Sequence, residues 1–394
     1  MGKEGARAVN DGEARAASTD ARIASIARFN ARVDQAQEAR PATKSWVDAA
    51  LRGRGAARCP VRMRSLSLDV ILRYGDDLAD LFVAYPDDVL LLPAYDLFVS
   101  YQPPGSANPI DPVRVLIEPA EWTDEWGTRW RHADGGVGAS TIAHPIGTWS
   151  DLDDYLAHRL PDPAAPGRLD GALPALRMHG ANRYVFGATH FALFERLHCL
   201  RGMENTLEDF YAAPREVERL LDALTEYYLG VIHAWGRLDG VDALFMTDDW
   251  GTERALMISP LMWRRFFAAR YRRLCDAAHG QGLQVVFHSC GHVSDIIGDL
   301  IDAGVDILNP LQPEAMDLTW VAREFGGKIA FLGGLSDQAV AVYTPQQVRD
   351  EVHRTIDLLG TPFGNAYVLA LSNLLMPEVP FANIVALFEA CHGQ

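Results

Sequence analysis

The sequence predicts an α/β fold: a TIM-type (β/α)8 barrel carrying an N-terminal helical extension and a hairpin or lid insertion. Three observations carry this expectation. From about residue 183 onward, short apolar runs alternate with helical stretches, the pattern of a parallel sheet. The runs are apolar at consecutive positions, as befits strands covered on both faces. No G-x-G-x-x-G follows any of them, which favours barrel closure over a doubly wound nucleotide-binding sheet.

In chain order, the first 20 residues mix acids, bases and alanine and read as a disordered tail without the apolar run of a signal peptide. Ser18 or Thr19 is placed to cap a first helix that runs to Arg40 and stops at Pro41. Thr43 or Ser45 starts a second helix, to about Leu51. Residues 1–60 are thus expected to be a tail and helical extension, and residues 61–394 the barrel domain. An apolar run bounded by breakers predicts a buried strand over 88–93. Residues 102–150 are rich in Pro, Gly and Trp and read as the hairpin or lid insertion, with Trp122, Trp126 and Trp130 packing the hairpin. Further strands are expected over 183–187, 241–246, 283–287, 305–308, 328–332 and 366–370. Helices are expected over 216–238, 260–279, 293–303, 318–325, 346–359 and 381–390.

The length of 394 residues suits one elaborated barrel. With 36 Lys+Arg against 52 Asp+Glu the formal charge is −16, which argues against a nucleic-acid or anionic-membrane partner. No uncharged apolar stretch of about 18 residues suggests a membrane span. Five irregularly spaced cysteines are no disulfide framework, so a cytoplasmic location is expected.

In a parallel barrel the chemistry sits where strands run into loops. Five successive strand ends here carry acids, amides, a thiol and imidazoles, which together describe a lined polar cavity. The sharpest feature is His288-x-Cys290. Residues two apart on a strand share a face, which sets an imidazole beside a thiolate, as zinc requires. The bland alternative is a strand-end histidine with a buried, inert cysteine. Asp248 and Asp249, ending an apolar run, are candidates for proton transfer or for holding a metal or hydroxyl; equally, one of them caps a helix and the other is solvated. Trp250, Glu253, Asn309, Gln312, Glu314, Gln338 and Asn373 are candidate substrate-binding groups around them. His179, His190 and His198 lack ligand spacing and read as structural.

The assembled motifs resemble the uroporphyrinogen decarboxylase superfamily, and within it the cobalamin-associated methyltransferase-like branch. Asp248-Asp-Trp-Gly-Thr-Glu253 with Ile258-Ser-Pro260 is similar to that branch's D-D-W-G-T-Q…I-S-P, and His288-Ser-Cys-Gly291 to its H-S-C-G. Gly304-Val-Asp306, Leu308-Asn-Pro310 and Gln312-Pro-Glu314 are similar to its G-V-D…N-P-x-Q-P-E. Gly333-Gly334 with Gln338, and Arg201-Gly-Met203, also fit. The resemblance spans roughly residues 61–390 and is strongest from 242 onward.

That resemblance implies a barrel with its pocket at the strand C-terminal ends and a Zn2+ held by His288, Cys290 and a third group. The zinc would activate a small-molecule substrate for methyl transfer with cobalamin carried on a separate corrinoid protein. Asp248 or Asp249 would handle protons beside it. A homodimer is a family-level expectation. Two departures matter. The family's distant Cys is expected in the last strand-end loop, where this chain has Ser372-Asn-Leu374, so Asp249, Glu314 and His292 stand open as third ligand and a metal-free pocket is the remaining alternative. The Arg-x-Ala-Gly-Arg-Tyr segment of true uroporphyrinogen decarboxylases is missing, and Arg62-Met-Arg-Ser65 does not replace it. A metal-independent decarboxylase of a polycarboxylate and a repurposed ligand-binding barrel are the competing readings. Arginines in the pocket would favour the decarboxylase.

Overall fold

The structure, a computed structural model, describes residues 3–38, 41–94, 113–132 and 138–394, with side chains described from residue 18 onward. Seven parallel strands form its main sheet: β1 (Val89–Ala94), then, after a small antiparallel sheet of β2 (Ala120–Thr123), β3 (Arg129–His132) and β4 (Ala139–Ala143), β5 (Tyr184–Thr189), β6 (Ala243–Thr247), β7 (Gln284–His288), β8 (Ile307–Leu311), β9 (Ala330–Leu335) and β10 (Tyr367–Leu371). Their order is β1-β5-β6-β7-β8-β9-β10, so each βα unit adds one neighbour, as in a (β/α)8 barrel. Every expected strand is present, shifted by at most three residues at either end.

Alternation along the strands sorts residues into two layers. Tyr184, Phe186 and Ala188, Ala243 and Phe245, Val286, Ile307, Ala330 and Leu332, and Val368 and Ala370 pack with one another in the barrel interior. The intervening Val185, Leu244, Met246, Val285, Phe287, Leu308 and Leu369 join the larger core under the helices. The helix Lys44–Leu51 plugs the N-terminal end of the barrel with Val47 and Leu51. Its Lys44 Nζ donates to Gly180 O, Gly240 O and Asp242 Oδ2, at the start of β5 and β6.

The gap between β10 and β1 is closed by residues 60–67. Arg62 N donates to Leu369 O (2.9 Å), Leu369 N to Pro60 O (2.8 Å) and Ser67 N to Leu375 O (3.1 Å), in parallel sense. On the other side Asp88 N donates to Val61 O (2.8 Å), and the side chains of two buried acids complete the seam. Asp88 accepts from Val61 N (3.0 Å) and takes a two-pronged bond from Arg58; Asp87 accepts from Met63 N and Arg64 N (2.7 and 2.9 Å).

Outside the barrel, one helix spans Lys3–Glu38, so the expected disordered tail is helical and the helix does not begin at Ser18 or Thr19. It buries Ile26, Phe29 and Val33, with Phe29 edge-on to Phe82 of the helix Leu68–Ala84. That second helix is not among those expected from the sequence, nor are Leu193–Arg201 and Met203–Ala212. The β2–β4 hairpins occupy part of the expected insertion; residues 95–112 and most of the Gly135-Gly-Val-Gly138 run lie outside the described residues. Trp126 and Trp130 are buried, and Trp130 stacks on Phe191 (5.6 Å), so the hairpin backs onto the β5 end.

The seam predicts a measurable dependence. Asp88→Ala strands Arg58 and the Val61 N–H beside β1. Urea unfolding is expected to show a loss of about 3 kcal/mol, as for breaking a buried ion pair by removing one partner.

Candidate active site

The C-terminal ends of the strands enclose a cavity of about 440 Å³. Its wall includes His190 after β5, Thr247 and Asp249 at β6, His288 and Cys290 at β7, Asn309 in β8, and Ser372 and Asn373 after β10. All but Asn373 continue the inward parity of their strands: 243-245-247-249, 286-288-290, 184-186-188-190, 307-309 and 368-370-372.

Three of these residues converge. One donor atom each from Asp249, His288 and Cys290 lies within 4.8 Å of the other two. His288 Nε2 is 3.4 Å from Cys290 Sγ and 3.7 Å from Asp249 Oδ1. His288 Nδ1 donates to Asn309 Oδ1 at 2.6 Å, and Asn309 Nδ2 in turn points at Leu332 O (3.4 Å). This bond fixes the tautomer: the proton sits on Nδ1, and the Nε2 lone pair faces the thiol and the carboxylate. Donors around a tetrahedral zinc at about 2.0–2.3 Å lie roughly 3.5 Å apart, so the set of one nitrogen, one sulfur and one oxygen fits such an ion in spacing and in kind.

The cluster's frame is backbone. Cys290 N donates to Asp249 Oδ1 (2.8 Å), Gly291 N to Gln312 Oε1 (2.9 Å), Trp250 N to Ser289 Oγ (2.9 Å) and His292 N to Thr252 O (2.7 Å). Gly251 and Gly291 (φ +80°) touch main chain to main chain. A Cβ on Gly251 would meet Cys290 O and His292 N at 2.6 Å.

Electrostatically the site is crowded with acids. Burial, then Asp249 and Glu195, push the Cys290 thiol up to about 12. Burial, with Asp249 and Asp248 nearby, holds the Glu195 carboxyl well above its usual range. Glu195 is a wall residue that the sequence reading missed because it stands in the unassigned helix Leu193–Arg201. His190, expected to be structural, also lines the cavity. Burial, with His288 and Arg196, lowers it to about 4, which keeps it a neutral imidazole. Arg62 and Arg64, from the closing segment, form a basic stretch of the wall that the motif comparison did not reveal.

Several expected site residues stand elsewhere. Asp248 has the outward parity and is fully buried behind the sheet. Its Oδ1 accepts from Glu195 N (2.6 Å) and its Oδ2 from Phe194 N (2.9 Å) and the Tyr271 hydroxyl. It caps the helix Leu193–Arg201 and does not face the cavity. Burial raises its carboxyl to about 7 against those hydrogen bonds. Trp250 is a core residue stacked on Phe194 (4.3 Å). Gln312 braces the Cys290 loop from behind. Glu314 is exposed and accepts from Ser336, while Glu253 and Gln338 are exposed away from the wall. His292 is turned to Ala315 O (2.8 Å). Of the three candidates for third ligand, only Asp249 joins His288 and Cys290.

A parallel barrel with a polar cavity at its strand C-terminal ends defines the class of (β/α)8-barrel proteins with their site in the βα loops. Within that class the chain belongs to the uroporphyrinogen decarboxylase (URO-D) family, whose family model matches residues 132–394. The uroporphyrinogen decarboxylase of Pseudomonas aeruginosa is 29% identical over 195 residues, covering 46% of this chain and 49% of that protein. That of Legionella pneumophila is 25% identical over 182 residues, covering 46% and 48%. The chain thus spans about half the length of the curated relatives it matches. Among solved structures, a methyltransferase from Methanosarcina mazei shares the fold, with a TM-score of 0.62 and 17% identity over 90% of this chain and 99% of that one. No helix among the described residues is long and apolar enough to cross a membrane.

The histidines near the cavity set an acid limit. His198, against Phe194 (5.4 Å), is lowered to about 4 by burial, Arg196 and His144, from an ordinary 6.5. The unfolded chain then binds a proton that the folded protein refuses. The stability from this group is fully present above pH 6.5 and is lost as pH falls toward 4, by up to about 1.4 kcal/mol per pH unit. Urea unfolding across that window is expected to show this slope, reduced in His198→Phe.

Proposed function

We propose that the protein is a metal-dependent enzyme that transfers a methyl group to or from a small molecule, with Asp249, His288 and Cys290 holding a zinc ion and a separate corrinoid protein as the methyl-carrying partner. The observation that carries this reading is the convergence of three different donor atoms from adjacent strand ends on one cavity, with the imidazole tautomer preset by Asn309. When bound, zinc would supply a Lewis acid that lowers the pKa of a coordinated hydroxyl or thiol group or polarises the C–O bond of an ether-type group. The chain's own residues do the rest. Asn309 accepts from Nδ1 of His288 and orients the ring with Nε2 toward the thiol and the carboxylate. Asp249 braces Cys290 through its backbone N–H. Glu195, its carboxyl raised well above the usual range by burial, accepts from the Thr247 hydroxyl (3.4 Å) on the cavity wall. The Methanosarcina mazei methyltransferase, similar over nearly its whole length, supports this reading.

The protein is expected to bind about one Co2+ per chain with a thiolate-to-metal absorption band, since a coordinating thiol is deprotonated outright. The band is expected to vanish in Cys290→Ser. Demethylation of a methoxylated substrate in the presence of a corrinoid protein is expected to fall to background in His288→Ala. Full turnover by chelator-treated protein would overturn the assignment. Gly251→Ala pushes the two ligand-bearing loops apart, so its Co2+ affinity is expected to drop by about tenfold or more.

A second reading is loss of CO2 from a carboxylate substrate without a metal, the activity named in the curated relatives. Arg62 and Arg64 on the cavity wall favour it. It requires His288→Ala to release CO2 from a polycarboxylate at the wild-type rate.

A further inference from the structure

The N-terminal end of the barrel, opposite the strand-end cavity, holds a separate pocket of about 480 Å³. The turn after the helix Lys44–Leu51 brings Arg52 and Arg54 to its wall. The entry ends of β7, β8 and β9 bring Gln284, Asp306 and Lys328. Gln284 is out of keeping with its place. It has the inward parity of β7 (284-286-288), in a barrel interior otherwise filled by residues such as Ala243, Val286, Ile307 and Ala330. Branched apolar side chains are usual at such positions. Gln284 is 3% exposed, and its Oε1 accepts from the Tyr184 hydroxyl (2.6 Å). Its amide nitrogen has no partner among the described residues and is not sealed from solvent, so it opens on the pocket. A donor left in that state is costly until something accepts from it.

Three cations share the pocket with that amide. Arg52 Nε donates to Asp48 Oδ1 (2.7 Å), which fixes the guanidinium and leaves its two terminal nitrogens without a hydrogen-bond partner among the described residues. Arg54 approaches Asp48 only to 3.9 Å. Lys328 Nζ donates to Glu324 O (2.7 Å), and its other N–H groups have no partner among the described residues. Asp306, the single acid among the described lining residues, is already engaged. Its Oδ2 accepts from Val285 N (2.7 Å) and pairs with His279 Nε2 (2.8 Å). On a chain of net charge −16, three cations around one space run against the overall composition. Guanidinium, ammonium and amide donors on one pocket match a phosphoryl group, which offers three acceptor oxygens and close to two negative charges near neutrality. The pocket is larger than that group alone requires, and its volume lies within the roughly 300–1,000 Å³ of small-molecule sites.

We propose that this pocket is a second ligand site, which takes the phosphoryl group of a small phosphorylated molecule at the N-terminal end of the barrel. Arg54 and Lys328 hold it from the rim, Arg52 from the turn fixed by Asp48, and Gln284 from the barrel interior. The site shares β7 with His288 but stands at the other end of that strand, about 13 Å away. It depends on neither chemistry proposed for the strand-end cavity.

The test is calorimetry on the full chain with inorganic phosphate and pyrophosphate at about 0.15 M salt, where attraction between exposed charges is largely screened. Saturable binding is expected, tighter for pyrophosphate than for phosphate. Arg54→Glu and Lys328→Glu, both on the exposed rim, are each expected to weaken it by about tenfold or more. Gln284→Met removes the amide at similar volume and is expected to weaken it by about fivefold or more. Pyrophosphate is expected to raise the midpoint of thermal unfolding of the unaltered protein and to leave that of Arg54→Glu where it is. Arg62→Gln and His288→Ala, in the strand-end cavity, are expected to bind pyrophosphate as the unaltered protein does. Absence of saturable binding, or an unchanged affinity in both charge reversals or in folded Gln284→Met, overturns the proposal. So does a loss in Arg62→Gln or His288→Ala that the charge reversals do not share, because the anion then sits at the other end of the barrel. Should Gln284→Met not fold, the two rim variants decide. Co2+ binding measured in the same proteins reports separately on the zinc reading.

Discussion

The barrel depends on two adjacent buried carboxylates. Asp87 and Asp88 precede β1 and hold residues 60–64 beside it through side-chain oxygens where a regular strand would use its own backbone. Without that seam the seven-stranded sheet has two open edges, and the cavity loses the wall that carries Arg62 and Arg64. Burying the pair is costly. Asp87 is raised by burial despite two N–H donors and the nearby Arg62, and Asp88 is offset by the two-pronged Arg58. The price is an irregular join.

How much of this was legible in the sequence follows from strand parity. His288 and Cys290 were readable as a pair because two residues on a strand share a face, and the structure brings their donor atoms within 3.4 Å. The same rule, run from Ala243 through Phe245 and Thr247, assigns Asp249 inward and Asp248 outward, and neighbouring acids in one motif thereby acquire opposite roles. Strand parity thus separates two residues that composition alone leaves equivalent. Gln312, Glu314 and Gln338 lie past their strand ends, where loop geometry decides direction and no periodicity operates. Glu195 was hidden for another reason. Its helix Leu193–Arg201 is buried nearly all round, with Glu195, Arg196 and Arg201 inside, so it shows no amphipathic stripe to read. The closing segment was illegible because its hydrogen bonds go to groups distant in sequence, the backbone of Leu369 and Leu375 and the side chains of Asp87 and Asp88.

The cavity is not lined by acids alone. Asp249, Glu195 and Cys290 share a wall with His190, and Arg62 and Arg64 extend it from the seam. The result is a bipolar space, with one region suited to a cation and one suited to an anion. Such a site orients a molecule by its ends.

The contact between Gly251 and Gly291 has a consequence for how this site can diverge. Two loops that meet main chain to main chain leave no side chain between them to enlarge or trim. The separation of Asp249 from Cys290 is therefore a constant of the scaffold rather than a tunable distance. Changes of metal preference among proteins built this way must come from exchanging one donor atom for another at unchanged positions.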